Sequence, residues 1–275
     1  MAVDDILAYV FIKDAGQLSA QSVRTAFGSQ FPGYPEKLDV RTTGVPGADL
    51  GIMLGAGVFG VYVEPTAMLP GRMMENAIGN AHWWPNAKSA LDGVDVCLKV
   101  MLQNNQAGTL PAKQQMLYKR DMMMRLSLVL GALCRAMDCV AVMFPKGPTL
   151  NSDFHFVSTV GKIFSAEKPY QLWVGLHPKH ENADNGDEMG CVSRGLAAFV
   201  GREISIDPVP DVSMETIFAR AAGVVCYLLE CGDVLSDGDT VGISASEKIR
   251  ISVHDAPFAD SAGEIRLLFD AKGAA

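Results

Sequence analysis

The apolar positions along this chain change period repeatedly, and those changes mark out its elements. Leu7–Ile12 is an unbroken apolar and aromatic run of strand length. Ser19 then opens a helical pattern with Val23, Ala26 and Phe27 on one face, closed by Phe31-Pro32-Gly33. Leu38–Thr42 alternates as a strand does. Leu50–Leu54 and Val58–Val63 are apolar runs joined by Gly55-Ala56-Gly57, the pattern of a hairpin. Leu69–Leu91 is helical in pattern, with a break imposed by Pro85 beside Trp83-Trp84. After a strand at Val94–Leu102, Met122, Leu126, Val129, Leu133 and Met137 recur every three or four residues, which gathers them on one helix face. Cys139–Phe144 follows as a buried strand and stops at Pro145-Lys146-Gly147-Pro148.

That proline–glycine cluster predicts two subdomains, 1–147 and 148–275, packed as one compact unit. The second part reads as a helix Asp153–Phe164, a strand Tyr170–Leu176, a polar loop Pro178–Glu188, and strands near Val192–Phe199 and Glu203–Ile206. Asp211 and Ser213 are placed to cap a helix running to Cys231, with Ile217, Ala221, Val224, Val225 and Leu228 on its buried side. Ser236-Asp237-Gly238-Asp239 reads as a tight turn, and strands at Thr240–Ile243, Lys248–Val253 and Glu264–Phe269 complete the chain. Hairpins mixed with helices point to an α+β fold. Its mixed, largely antiparallel sheets carry helices on one face, in ferredoxin-like βαββαβ units.

Composition narrows the classes of function. The 275 residues carry a net charge of −8, which disfavours nucleic acid and anionic membrane as partners. No window approaches the ~20 apolar residues of a membrane span. The acidic start MAVDDILAYV lacks the positive region of a signal peptide. Six cysteines inside apolar runs, among them Cys134/Cys139 and Cys226/Cys231, read as core residues of a reduced, cytoplasmic protein.

Several motifs invite chemistry. Gly55-Ala56-Gly57-Val58-Phe59-Gly60 fits GxGxxG, with Glu75 near the spacing of a ribose-binding acid. A pyrophosphate needs a helix starting inside that loop, whereas Val61-Tyr62-Val63 and Pro65 make a second strand. No cofactor is therefore expected. His177-Pro178-Lys179-His180, followed by Glu181, Asp184, Asp187, Glu188 and Cys191, is the metal candidate, because imidazoles three apart in a loop can reach one cation. Acidic surface hairpins with two histidines make the same pattern without a metal. Gly161-Lys162 lacks the glycine and hydroxyl of a phosphate loop, and Ser244 lacks the second glycine of a nucleophile elbow. His82-Trp83-Trp84-Pro85 and the runs Met73-Met74 and Met122-Met123-Met124 serve either the core or a partner surface.

Several segments together resemble a bacterial family catalogued as domain of unknown function 4261. They are the helix Leu69–Leu91, the unit Val94–Phe144, the stretch Ser193–Ile206 with Gly195, Phe199, Gly201 and Glu203, and the signature Gly238-Asp239-Thr240-Val241-Gly242 with Glu247-Lys248-Ile249. The family carries no assigned activity, so the resemblance assigns no residue a role. Related bacterial domains occur beside secreted toxins as their neutralising partners. The expectation is a non-catalytic binding protein, an immunity or antitoxin-like protein that occludes a toxin, with Trp83, Trp84, Asp184, Asp187 and Glu188 as contacts. The alternative is a metal-assisted hydrolase or small-molecule binder using His177 and His180. An internal scaffold protein is the third reading.

Overall fold

In a computed structural model of the protein, the described residues are all except 1–5, 15–17, 44–48, 82, 104–109, 165–167, 184–185, 233–234, 243–248, 257–261 and 270–275. The chain divides into two units, Met1–Thr109 with Arg120–Leu172, and Leu110–Lys119 with Trp173–Ala275. Both are α+β, and every strand pairing but one is antiparallel.

The first unit is built on strands β1 (Ile6–Ile12), β2 (Leu38–Thr42), β3 (Leu50–Leu54), β4 (Gly57–Pro65), β5 (Val96–Leu102), β6 (Cys139–Phe144) and β7 (Thr149–Ser152). They form one seven-stranded sheet in the order β2-β3-β4-β5-β1-β6-β7. Its central strands β4-β5-β1-β6 follow the strand order of a ferredoxin-like βαββαβ unit. The helices are α1 (Ala20–Gln30), α2 (Gly71–Asn80), α3 (Ala87–Leu91), α4 (Ala112–Ala136) and α5 (Asp153–Gly161); the first residues of α4, up to Lys119, count with the second unit. Ser19 caps α1 through Ser22 in a capping box, and the buried residues of α1 are Val23, Ala26 and Phe27, as the periodicity requires.

Helices lie on both faces of this sheet rather than on one. Tyr9, Phe11, Cys97, Ala141 and Met143 pack with Leu69, Ala77, Ala81 and Ala87 from the α2–α3 side. Alternation sends Phe144 to the opposite face, where it meets Phe156 of α5 with ring centroids 6.1 Å apart. The unbroken apolar run of β1 fits a strand buried on both sides, and residues Ala8–Ile12 are all buried. Pro145–Pro148 makes the turn between β6 and β7, and the chain passes into the second unit at Trp173. Strand β7 left no sequence signal because Thr149-Leu150-Asn151-Ser152 carries a single large apolar residue.

Strands β8 (Gly175–Ala183), β9 (Gly186–Arg194), β10 (Arg202–Val209), β11 (Thr240–Val241), β12 (Ile249–His254) and β13 (Gly263–Leu268) form the second sheet, in the order β11-β12-β13-β10-β9-β8. Two helices, α6 (Ala197–Val200) and α7 (Met214–Cys231), join them. Helix α7, capped by Ser213 and ended by Gly232 in the left-handed region, packs on β8, β9 and β10. It buries Ile217, Ala221, Val224, Val225, Leu228 and Leu229. From the sheet, Cys191, Ile204, Ile206, Ile251, Ile265 and Leu267 are buried as well. The parallel pair is β10 with β13, the outcome of a crossover through α7.

Three sequence expectations change here. Residues Tyr170–Leu172 form a single 3-10 turn, closed by Leu172 N–H on Pro169 O at 3.0 Å, so the strand starts only at Gly175. The run from Val192 leaves its strand at Arg194, because Gly195 takes φ +100°, and Ala197–Val200 coils into a helical turn. The polar segment Pro178–Glu188 lies within the β8–β9 hairpin instead of a loop. Polar side chains on both faces hid its period of two.

Candidate functional site

The β8–β9 hairpin holds the residues singled out for metal and partner binding. Its register is continuous, His177 opposite Val192 and His180 opposite Met189. Three positions apart on one strand, His177 and His180 point to opposite faces of the sheet, so they do not share one cation. Helical or loop backbone would have let them converge; extended backbone separates them. Among the described residues no three His, Cys, Asp or Glu side chains cluster as metal ligands. Glu188 stands opposite position 181 and Asp187 opposite position 182, while Asp184 lies outside the described residues.

On the sheet face away from α7, charges are interlocked. Lys179 Nζ donates to Ser205 Oγ and lies 3.5 Å from Asp207 Oδ1, whose other oxygen is 3.7 Å from Arg266. Arg266 Nε donates to Glu264 Oε2 at 2.7 Å. Burial alone would raise the Glu264 carboxyl, yet hydrogen bonds from Arg266 and Ser205 and the charges of Arg266 and Lys179 hold it below the usual range. Lys179 and Arg266 thus each meet a carboxylate. On β12, Ser252 Oγ and His254 Nε2 are 3.1 Å apart and exposed. Among the described residues no carboxylate meets the other ring nitrogen.

Glu203 carries more structure than any other polar residue of this unit. Its carboxylate accepts from Gly195 N (2.8 Å), Ala197 N (3.2 Å), Leu196 N (3.2 Å) and Ser193 Oγ (2.6 Å). These are the amides left open where β9 turns into α6, and Ser193 Oγ in turn accepts from Ile204 N at 2.7 Å. The Ser236–Asp239 turn is tied in the same way. Asp239 Oδ2 accepts from Ser236 N at 2.8 Å, Asp237 Oδ1 from Val253 N at 3.0 Å, and Gly238 sits at φ +85°. Between this turn and α7 lies a cavity of about 540 Å³ lined by Arg220, Tyr227, Leu235, Asp239 and Thr240 among others.

Residues 192–268 match the family model described as Domain of unknown function (DUF4261). The second unit carries a DUF4261 domain. The matched residues are narrower than the resemblance drawn from Leu69 onward, and they leave out β8 and most of β9. No curated protein and no solved structure matches the chain. Inside the DUF4261 domain, Gly195, Glu203, Gly238 and Asp239 are all explained by hydrogen bonding and backbone geometry. These four residues hold the local fold of the domain.

Outside the DUF4261 domain, the first unit places the remaining candidates. Trp84 packs against the α2–α3 core cluster, whereas Trp83, one residue earlier, is 50% exposed. His82 lies outside the described residues. Met122 is buried, and Met123 and Met124 are partly so. GxGxxG is a hairpin turn: Leu54 pairs with Gly57, Gly55 takes φ +56°, and Arg125 donates to Leu54 O and Glu36 directly over the turn. A guanidinium–carboxylate pair occupies the space above these glycines. Cys134 and Cys139 are buried with sulfurs 3.1 Å apart, but Cys226 and Cys231 are exposed on α7, contrary to the core role expected of them. No helix among the described residues is long and apolar enough to cross a membrane.

Proposed function

We propose that the chain is a non-catalytic binding protein that acts by covering a surface of a protein partner. The carrying observation is where bulky apolar side chains meet solvent. Met68, Trp83, Phe154 and Phe164, each at least half exposed, all belong to the first unit. A scattered exposed leucine needs no explanation, but tryptophan and phenylalanine left in water are the residues that anchor interfaces. Trp83 stands beside Trp84, which packs into the core and is tied by its own N–H on Ala81 O at 2.8 Å and by Ala87 N–H on its carbonyl at 3.0 Å.

The net charge of −8 favours a basic partner by raising the rate of encounter. The specific form of this reading is immunity, in which the partner is a secreted toxin whose basic surface is covered. The test is co-expression with the product of the adjacent gene, followed by size-exclusion chromatography. A stoichiometric complex is expected with the wild-type chain, weakened by Trp83→Ala at least tenfold, about 1.4 kcal/mol. A complex indifferent to Trp83→Ala, or turnover by the isolated chain, overturns the proposal.

A further inference from the structure

Helix α4 ends at Ala136 and strand β6 begins at Cys139, which brings Cys134 and Cys139 together across the junction of the two elements. Cys139 Sγ donates to Cys134 Sγ at 3.1 Å, and both are free thiols. Cys226 and Cys231 have the same spacing in sequence, but both lie on α7, where residues five apart do not share a face. A disulfide bond is about 2.0 Å long, so the sulfurs of Cys134 and Cys139 stand only about 1 Å further apart than bonded ones. The pair is also within reach of a very small reagent. Cys134 and Cys139 are 7% and 8% exposed, and Cys134 lines a groove of about 440 Å³ with Arg135, Asp153 and Phe154 among others.

We propose that Cys134 and Cys139 form an oxidation site, at which a peroxide converts the two thiols into an intrachain disulfide. In the first step the Cys134 sulfur attacks one peroxide oxygen, the O–O bond breaks, and the departing hydroxide takes the thiol proton as water. A sulfenic acid is left on Cys134. In the second step the Cys139 sulfur attacks the sulfenic sulfur, the S–O bond breaks, and a second water leaves with the Cys139 proton. Two thiols thus lose two electrons to one hydrogen peroxide, and two waters are released. Burial, reinforced by Cys139 and Asp153, pushes the Cys134 thiol well above its ordinary range, so thiolate is scarce and the first step is slow. The second step joins sulfurs already in contact, and so outruns further oxidation of the sulfenic acid. The new bond fastens the last turn of α4 to the first residue of β6. It closes a loop of only four residues, Arg135 to Asp138, so it restrains the unfolded chain little and acts on the junction itself. This chemistry does not depend on what the exposed aromatic residues bind.

The test uses the full chain carrying Cys226→Ser and Cys231→Ser, which removes the exposed thiols and leaves the pair untouched. The folded protein is held in hydrogen peroxide, catalase ends the exposure, and the chain is unfolded in N-ethylmaleimide so that every surviving thiol is blocked. Mass spectrometry of the digest is expected to show Cys134 and Cys139 linked, the peptide lighter by two hydrogens and unblocked, with Cys97 and Cys191 carrying maleimide. Dithiothreitol added before the maleimide should restore both thiols. Maleimide on both Cys134 and Cys139 after peroxide, or sulfinic or sulfonic acid at either without the link, would overturn the assignment. So would a link that forms only when the chain is unfolded before the peroxide is added.

Discussion

Replacing Gly55 by alanine tests whether the turn after β3 is held by the arginine above it. Two costs arise. An alanine at φ +56° carries about 1 kcal/mol of left-handed backbone strain. Its Cβ would also overlap the Arg125 guanidinium, 2.6 Å from Cζ, and stand 2.5 Å from Glu36 Oε2. Arg125 is only 14% exposed and is pinned by Glu36, by Asp121 Oδ2 at 2.9 Å and by Leu54 O at 3.1 Å, so it does not swing aside freely. Displacing it gives up its bonds to Glu36 and Leu54. Charged hydrogen bonds contribute ~1.5–3 kcal/mol each when buried, and the partial exposure of Glu36 reduces this to about 2 kcal/mol for the pair. Gly55→Ala should therefore cost about 3 kcal/mol in urea unfolding, of which about 1 kcal/mol survives in an Arg125→Ala background. The coupling of about 2 kcal/mol is the measurement that matters. Equal costs in both backgrounds would show that Arg125 does not hold the turn.

Two further outcomes follow from the second unit and the buried thiols. Glu203→Gln keeps one acceptor oxygen but loses the charge that serves four donors, and should destabilise the second unit by about 1–3 kcal/mol; fast amide exchange at Gly195–Ala197 would accompany it, and unchanged protection there would show the carboxylate to be idle. Burial pushes the thiols of Cys97 and Cys191 up to about 12. Because the folded values lie above the unfolded one of about 8.5, their contribution to stability is complete below that pH and falls away as pH rises from there. At about pH 9 iodoacetamide should label exposed Cys231 promptly, Cys226 more slowly because partial burial and Glu230 push its thiol up, and spare Cys97 and Cys191 until the chain is unfolded; labelling of Cys97 at the rate of a free thiol would contradict this.

Much of the fold was legible because local pattern and local physics agree over most elements. The buried residues named for α1 and α7, the break after α2 and the Gly55 turn all rest on interactions within a few residues. The hairpin from Gly175 to Arg194 was not legible, since polar side chains on both faces erase the contrast that marks a strand. The same error produced the metal candidate: His177 and His180 converge in a loop and diverge on a strand. The exposure of Trp83 beside a buried Trp84 was equally hidden, because adjacent residues of one type differ only by which side of a turn they leave.

From its sequence alone this chain is an acidic α+β protein whose glycine pattern bends a hairpin and whose closing signature resembles a family of unknown function. Those properties depend on backbone preference and on the period of apolar residues, which short segments carry by themselves. Only the tertiary structure decided that Glu203 secures the β9–α6 turn, that Arg125 fills the space over Gly55, and that helices cover both faces of the first sheet. Each of these joins residues from separate elements. Such pairings are set by how the elements pack, and no window of sequence contains them.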